Sequence, residues 1–273
     1  ATDRLVALAG RDLNIATTTR STATAQGNYT GIDRIAGLYI TGSTAAGELI
    51  AAAGRDLGLT AATVENAGQG STVLSAGRDL NLATVTTTRR QETVWDASNY
   101  RKDANSLEIG TTLDVAGKLL LQSGHDLTAR AATLKSRGDL TLQAGNDLRL
   151  EAGRASTAFD EAQRTTDDDL FARKTSVTRN AVSRQTLVSS TLDAANIDLA
   201  AGRDIRTEAA QLVARQGLGL DAGRDLHIGA ATESVTETHL NQTLRQAKGL
   251  GKFAGALLLP SAGVPGVSFA ADL

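Results

Sequence analysis

The 273 residues carry 28 basic and 30 acidic side chains, a formal net charge of -2, which argues against a nucleic-acid module with its basic face or stripe. Cysteine and methionine are absent, 27 residues are Gly and 2 are Pro, which excludes a disulfide scaffold, a thiolate zinc site and a cysteine nucleophile. One Trp, three Tyr and four Phe are too few for a conventional globular core, yet 41% hydrophobic content disfavours disorder, so repetition of small and aliphatic residues is the expectation.

In chain order, a corner pentapeptide opens at Ala9-Gly10-Arg11-Asp12-Leu13 and is followed by a first insertion near 16–34. It returns at Ala53 to Leu57 and at Ala76 to Leu80, where Leu80-Asn81-Leu82 continues as an alternating run before a second insertion near 83–106. Near copies follow at Ser123-Gly124-His125-Asp126-Leu127 and Ala144-Gly145-Asn146-Asp147-Leu148, the latter preceded by Leu140-Thr141-Leu142-Gln143. A third insertion lies near 152–190, then come corners at Ala201 to Ile205 and Ala222 to Leu226, and a fourth insertion near 229–265.

Uninterrupted units repeat every 21 residues, from Asp126 to Asp147 and again from Asp204 to Asp225. Apolar residues at i and i+2 face one side of a strand. The Gly reads as a bend residue tolerant of positive φ and the Asp as a partner for the backbone. A period this short leaves no room for crossover helices. The predicted fold is therefore all-β: a right-handed parallel β-helix of about 21 residues per coil, with inward residues stacked on their copies. Eight to ten coils at about 4.8 Å each predict a rod of roughly 35 to 50 Å. Stacked Arg203 and Arg224, or Asp204 and Asp225, repel by roughly 0.9 kcal/mol in water, and the neighbouring opposite charges are expected to cancel this.

The insertions differ in composition: Thr17-Thr18-Thr19-Arg20, Thr86-Thr87-Thr88-Arg89-Arg90 and Thr232 to Thr238. Such runs suit exposed two-stranded ribbons, so β-hairpins protruding from one side of the rod are predicted, the side on which solenoids commonly bind. Tyr29, Trp95, Tyr100, Phe159 and Phe171 fall in these hairpins and Phe253 in the last insertion; amphipathic rings suit contact with a partner surface, and the first five are the candidate partner-contact residues. The fourth insertion centres on Lys248-Gly249-Leu250-Gly251-Lys252-Phe253, and its apolar stretch to Pro260 is far shorter than the ~20 residues of a membrane helix. A strand returning over 266–273, together with a start at Ala1, fits a segment of a larger protein.

No catalytic constellation emerges. His125 fills the corner position held elsewhere by Arg or Asn, and His227 an outward slot. The aligned acids Asp126 with Asp147, and Asp204 with Asp225, belong to the repeat itself and recur from coil to coil. Asp167-Asp168-Asp169 reads as a solvated turn, and Arg137-Gly138-Asp139 as a coil bend rather than an adhesion tripeptide. No catalytic, cofactor-binding or metal-ligating residue is assigned.

Corners in register, Thr-rich insertions and the Lys-Gly-Leu-x-Lys-Phe segment together resemble the haemagglutinin-repeat region of large two-partner-secreted exoproteins, a group that includes filamentous haemagglutinin adhesins and contact-dependent growth inhibition effectors. The resemblance covers essentially the whole chain. It implies a secreted or Gram-negative cell-surface filament, exported through an outer-membrane two-partner transporter. It also implies a non-enzymatic segment, most similar to the second repeat block of a growth-inhibition effector, which presents or delivers a distal toxin. The target-cell outer membrane or a receptor is then the partner. A passive adhesin binding glycan or matrix through its hairpin face is the alternative, and a polysaccharide-degrading β-helix the third.

Overall fold

The computed structural model describes residues 3–43 and 47–248. Phe253, the rest of the fourth insertion and the expected strand over 266–273 lie outside the described residues.

The chain winds as a right-handed parallel β-helix with three faces. The first coil runs through β1 (Arg4–Ala9) and β2 (Leu13–Ala16), leaves as a hairpin of β3 (Thr18–Thr24) and β4 (Gly27–Arg34), and closes with β5 (Gly37–Ile40). The second is plain: β6 (Glu48–Ala53), β7 (Leu57–Thr60) and β8 (Thr63–Asn66). The third holds β9 (Thr72–Ala76), β10 (Leu80–Ala83), the hairpin β11 (Val85–Asp96) and β12 (Asn99–Ile109), then β13 (Thr112–Val115). The fourth is plain again: β14 (Leu119–Ser123), β15 (Leu127–Arg130) and β16 (Thr133–Ser136). The fifth has β17 (Leu140–Ala144), β18 (Leu148–Glu151), the hairpin β19 (Gly153–Asp168) and β20 (Ala172–Val188), and the start of β21 (Thr191–Ala201). The sixth combines the end of β21, β22 (Asp204–Glu208) and the start of β23 (Gln211–Ala222). The end of β23 and β24 (Asp225–Gly229) begin a seventh, from which β25 (Ser234–Ala247) departs.

Seven strands stack on the second face, in the order β2-β7-β10-β15-β18-β22-β24. The described residues thus make seven levels, a rod of about 30 Å at the usual strand spacing, not the expected eight to ten. The three hairpins occupy nearly the segments expected for the insertions, and residues 249–273 lie outside this count.

The core is built of columns. Leu13, Leu57, Leu80, Leu127, Leu148, Ile205 and Leu226 are register partners in succession. On the first face Ala9, Ala53, Ala76, Ser123, Ala144, Ala201 and Ala222 form another. The 21-residue period is visible directly, as Leu119 pairs with Leu140 and Ile197 with Leu218. Buried leucines such as Leu57, Leu127 and Leu148 are fully inaccessible; each fully buried Leu contributes about 1.5–3 kcal/mol.

The corner glycine has a different reason from the one expected. None of the corner glycines has a positive φ. Each instead lies against the level beneath: a Cβ on Gly54, Gly77, Gly124, Gly145, Gly202 or Gly223 would stand 2.1–2.3 Å from the carbonyl oxygen of the preceding corner glycine. Gly10, at the foot of the column, has nothing within 4 Å. Close approach, not backbone conformation, demands Gly here.

The corner acids form an inter-level ladder. Arg55 forks onto Asp12 at 2.8 and 2.7 Å, Arg78 onto Asp56 at 2.9 and 2.6 Å, Arg203 onto Asp147 at 2.8 and 2.5 Å, and Arg224 onto Asp204 at 2.9 and 2.5 Å. The Arg of one coil thus neutralises the Asp of the coil before it, which removes the like-charge penalty. The fork holds the Asp12 carboxyl below the ordinary carboxylate range through hydrogen bonding to Arg55, and Arg224 does the same to Asp204. At the two remaining steps His125 meets Asp79 at 3.2 Å and Asn146 donates to Asp126 at 2.8 Å.

Candidate functional site: an open sheet beside the rod

Every hairpin leaves at one corner, between the second and third faces. Plain coils turn that corner through Ala61, Ala131 and Ala209, all in the left-handed region at φ 45–47°. In the hairpin coils an anchoring hydroxyl stands at the base instead. Thr17 Oγ donates to Ala61 O at 2.6 Å, Thr111 Oγ to Leu59 O at 3.0 Å and Ser190 Oγ to Glu151 O at 2.7 Å, all three side chains being buried. The hydroxyls also accept from Ala36 N at 3.1 Å and Ala132 N at 3.1 Å. They supply partners for main-chain groups that a buried corner would otherwise strand.

Arg130 of the fourth coil clamps the bases of two hairpins. It reaches Glu108 at 2.8 and 3.0 Å and Glu151 at 3.3 Å. Hydrogen bonding to Arg130 holds the Glu108 carboxyl below its ordinary range, against the opposing effect of burial.

Hairpins occur on the first, third and fifth coils, and β25 departs from the seventh. A two-stranded hairpin is about 9.6 Å wide, and two coils rise by the same amount. Placed on alternate coils, the hairpins therefore meet edge to edge. They form one antiparallel sheet in the order β25-β20-β19-β12-β11-β4-β3. Its strands lengthen along the rod, from 7 residues in β3 to 17 in β20. Of all its strand residues only Gly31 and Gly153 are buried, so both faces are open.

Register aligns chemistry across the sheet. Ser21, Thr30, Thr88, Ser106, Ser156, Gln185 and Ser234 are successive partners, one from each strand. Ser21 and Thr30 hydroxyls lie 2.8 Å apart, and those of Ser106 and Ser156 2.7 Å. This polar row crosses all three hairpins and β25, and no local sequence feature announces it.

The five candidate aromatic residues do not converge. Tyr29 shares a row with Arg89, Asn105 and Thr157, and Phe159 lies on that same face one row further out. Tyr100 is on the opposite face, with the hydroxyl row, and donates to Asp160 at 3.4 Å. Arg101 stands 5.3 Å over the Phe159 ring and Lys102 5.3 Å over Tyr100, within the range of cation–π attraction. Asp160 is also held at 3.0 and 2.9 Å by Arg179, whose hydrogen bond keeps that carboxyl below its ordinary range. Trp95 and Phe171 sit at hairpin tips, 68% and 78% exposed, and Leu170 beside Phe171 is 84% exposed. Two rings are thus tied into the sheet by charge and three are presented to solvent, Tyr29 among them at 55% exposure.

Three further groups have local partners. Asp168 pairs with Lys248 at 2.6 Å at the tip of the third hairpin. Asp139 of the Arg-Gly-Asp triplet is bound by Lys118 at 3.0 Å and Asn196 at 2.8 Å at a coil bend. His239 contacts Asn180 at 3.1 Å within the sheet.

The profile of the hemagglutinin repeat family matches residues 6–166 and 172–251. That span takes in the rod and the hairpin sheet together. No curated protein and no solved structure matches the chain significantly.

Proposed function

Because this chain belongs to the hemagglutinin-repeat family, a structural and adhesin family, we propose that it is a non-enzymatic rod segment of a Gram-negative surface exoprotein, exported by a two-partner outer-membrane transporter. Its hairpin sheet is the contact surface. The observation that carries this reading is the sheet itself: seven strands held clear of the rod, open on both faces and rimmed by Trp95, Leu170 and Phe171. An ordered sheet with so little burial is maintained by the rod beneath it, and the amphipathic rings at its tips suit contact with a partner surface. The rod supplies reach and order, and each added coil contributes stacking energy that helps draw the chain outward during export. In the finer reading the segment lies in a contact-dependent growth inhibition effector and brings a distal toxin to the outer membrane of a neighbouring cell; Tyr29, Trp95, Tyr100, Phe159 and Phe171 are then the partner-contact set.

The test replaces residues 84–111 in the parent exoprotein with a two-alanine corner copied from Ala131-Ala132, so that the rod continues without its second hairpin. Surface display should persist, while contact activity falls at least tenfold. Loss of neighbour inhibition with adhesion retained supports delivery, and loss of adhesion supports the adhesin. Full activity of both kinds in a displayed variant would overturn the continuous sheet as the contact surface.

A further inference from the structure

The corner ladder has one step where arginine is replaced by imidazole, and there three ligand atoms converge. His125 Nδ1 lies 3.2 Å from Asp79 Oδ1 and 3.4 Å from Asp126 Oδ1, and all three atoms fall within 4.8 Å of one another. We propose that Asp79, His125 and Asp126 form a binding site for a divalent transition metal of the zinc, nickel or cobalt class, bridging the third and fourth coils.

Distance, donor chemistry and the surrounding hydrogen bonds each favour such a site. With metal–nitrogen and metal–oxygen bonds of about 2.0–2.2 Å, tetrahedral ligand atoms stand about 3.3–3.6 Å apart. The two His–Asp separations match or nearly match that edge before any ion enters. One imidazole with two carboxylates suits zinc, nickel and cobalt, and leaves a position for water.

Arg78 Nε holds Asp79 through the other oxygen, Oδ2, at 3.0 Å, and the Asp126 amide donates to Asp79 Oδ1 at 3.2 Å. Asn146 Nδ2 and the Asp147 amide donate to Asp126 Oδ1 at 2.8 and 3.1 Å, and Arg149 reaches Asp126 Oδ2 at 3.4 Å. Hydrogen bonds of this kind orient metal-binding carboxylates. The imidazole is open to solvent, its side chain 57% exposed, which gives an ion access.

The other ladder steps serve as internal controls. Where the fork is Arg55, Arg78, Arg203 or Arg224, a guanidinium already occupies the space between the acids, and it cannot ligate. Asp79 and His125 are 46 residues apart, separated by the whole second hairpin, so no local spacing announces the site. A bound ion would fasten the two coils that flank that insertion.

The experiment titrates the untagged chain with Zn²⁺ and Ni²⁺ by calorimetry and follows the visible absorption of Co²⁺. One ion per chain is expected, with a rise in thermal midpoint. His125→Arg installs the residue of the preceding level and His125→Asn that of the next level, so both retain a ladder partner and should fold, as circular dichroism will verify. In each, affinity should fall by at least about tenfold, the scale on which even outer-shell partners act, and the thermal response should vanish. His227→Ala should bind as the parent does. Absence of binding by the parent at millimolar metal, or affinity unchanged in the folded His125 variants, overturns the site, as does loss confined to His227→Ala.

Discussion

A single corner glycine shows how the repeat fixes its own sequence. Gly145 would place a Cβ 2.1 Å from the carbonyl oxygen of Gly124, whereas Gly10 faces open space although both occupy the same slot of the pentapeptide. Their alanine variants should therefore differ. Gly145→Ala is expected to lose about 1–3 kcal/mol, the range of overpacking in a well-packed interior, and Gly10→Ala to stay within about 0.5 kcal/mol, as surface substitutions do. Urea unfolding followed by circular dichroism compares them; equal losses would remove close stacking as the reason for the glycine. The recurrence of this residue was legible in the sequence, but its cause was not. A pentapeptide shows that Gly is required and is silent about which atom forbids a side chain. The ladder partner was likewise hidden, since Arg55 and Asp12 are 43 residues apart.

At the level of elements, the strand columns tolerate one irregularity. Ser123 takes an alanine's place between Ala76 and Ala144, and its hydroxyl is the one buried side-chain polar group among the described residues with no hydrogen-bond partner. An unsatisfied buried donor costs about 1–3 kcal/mol. Ser123→Ala restores the column and is expected to raise the unfolding free energy by about 1 kcal/mol or more; a loss of stability would show that the hydroxyl has a partner in solution. Alternation and the 21-residue interval identified the rod strands, and the Thr-rich runs identified two-stranded ribbons. Their union into one sheet was not legible. Tyr100 pairs with Ala162 and Gln185 with Ser234, contacts between separate insertions that only the common rise of the coils brings together. The five aromatic candidates were grouped by their scarcity in the coils, a compositional signal that carries no information about which face each one occupies.

Across the whole molecule, the ladder ties coil to coil from Asp12 to Arg224. Hydrogen bonds from arginine depress the carboxyl pKa of the ladder acids Asp12 and Asp204 in the folded chain. A depressed folded-state value contributes stability that is complete above the unfolded value, about 3.9 for Asp. That contribution is lost as pH falls through the folded values. The thermal midpoint should therefore hold between about pH 5 and 7 and decline below about pH 4, with the rod's strand signal lost cooperatively. A midpoint at pH 2 equal to that at pH 6 would rule out the ladder as a stabilising element.

The hairpins on alternate coils impose a parity rule on the gene. Adding or deleting one plain coil would shift every later hairpin by a single strand width and leave a slot or a collision in the sheet. Adding or deleting two coils, one of each kind, preserves the tiling. The heritable unit of this architecture is the pair, and length variants that keep a continuous sheet should differ from this chain by even numbers of turns.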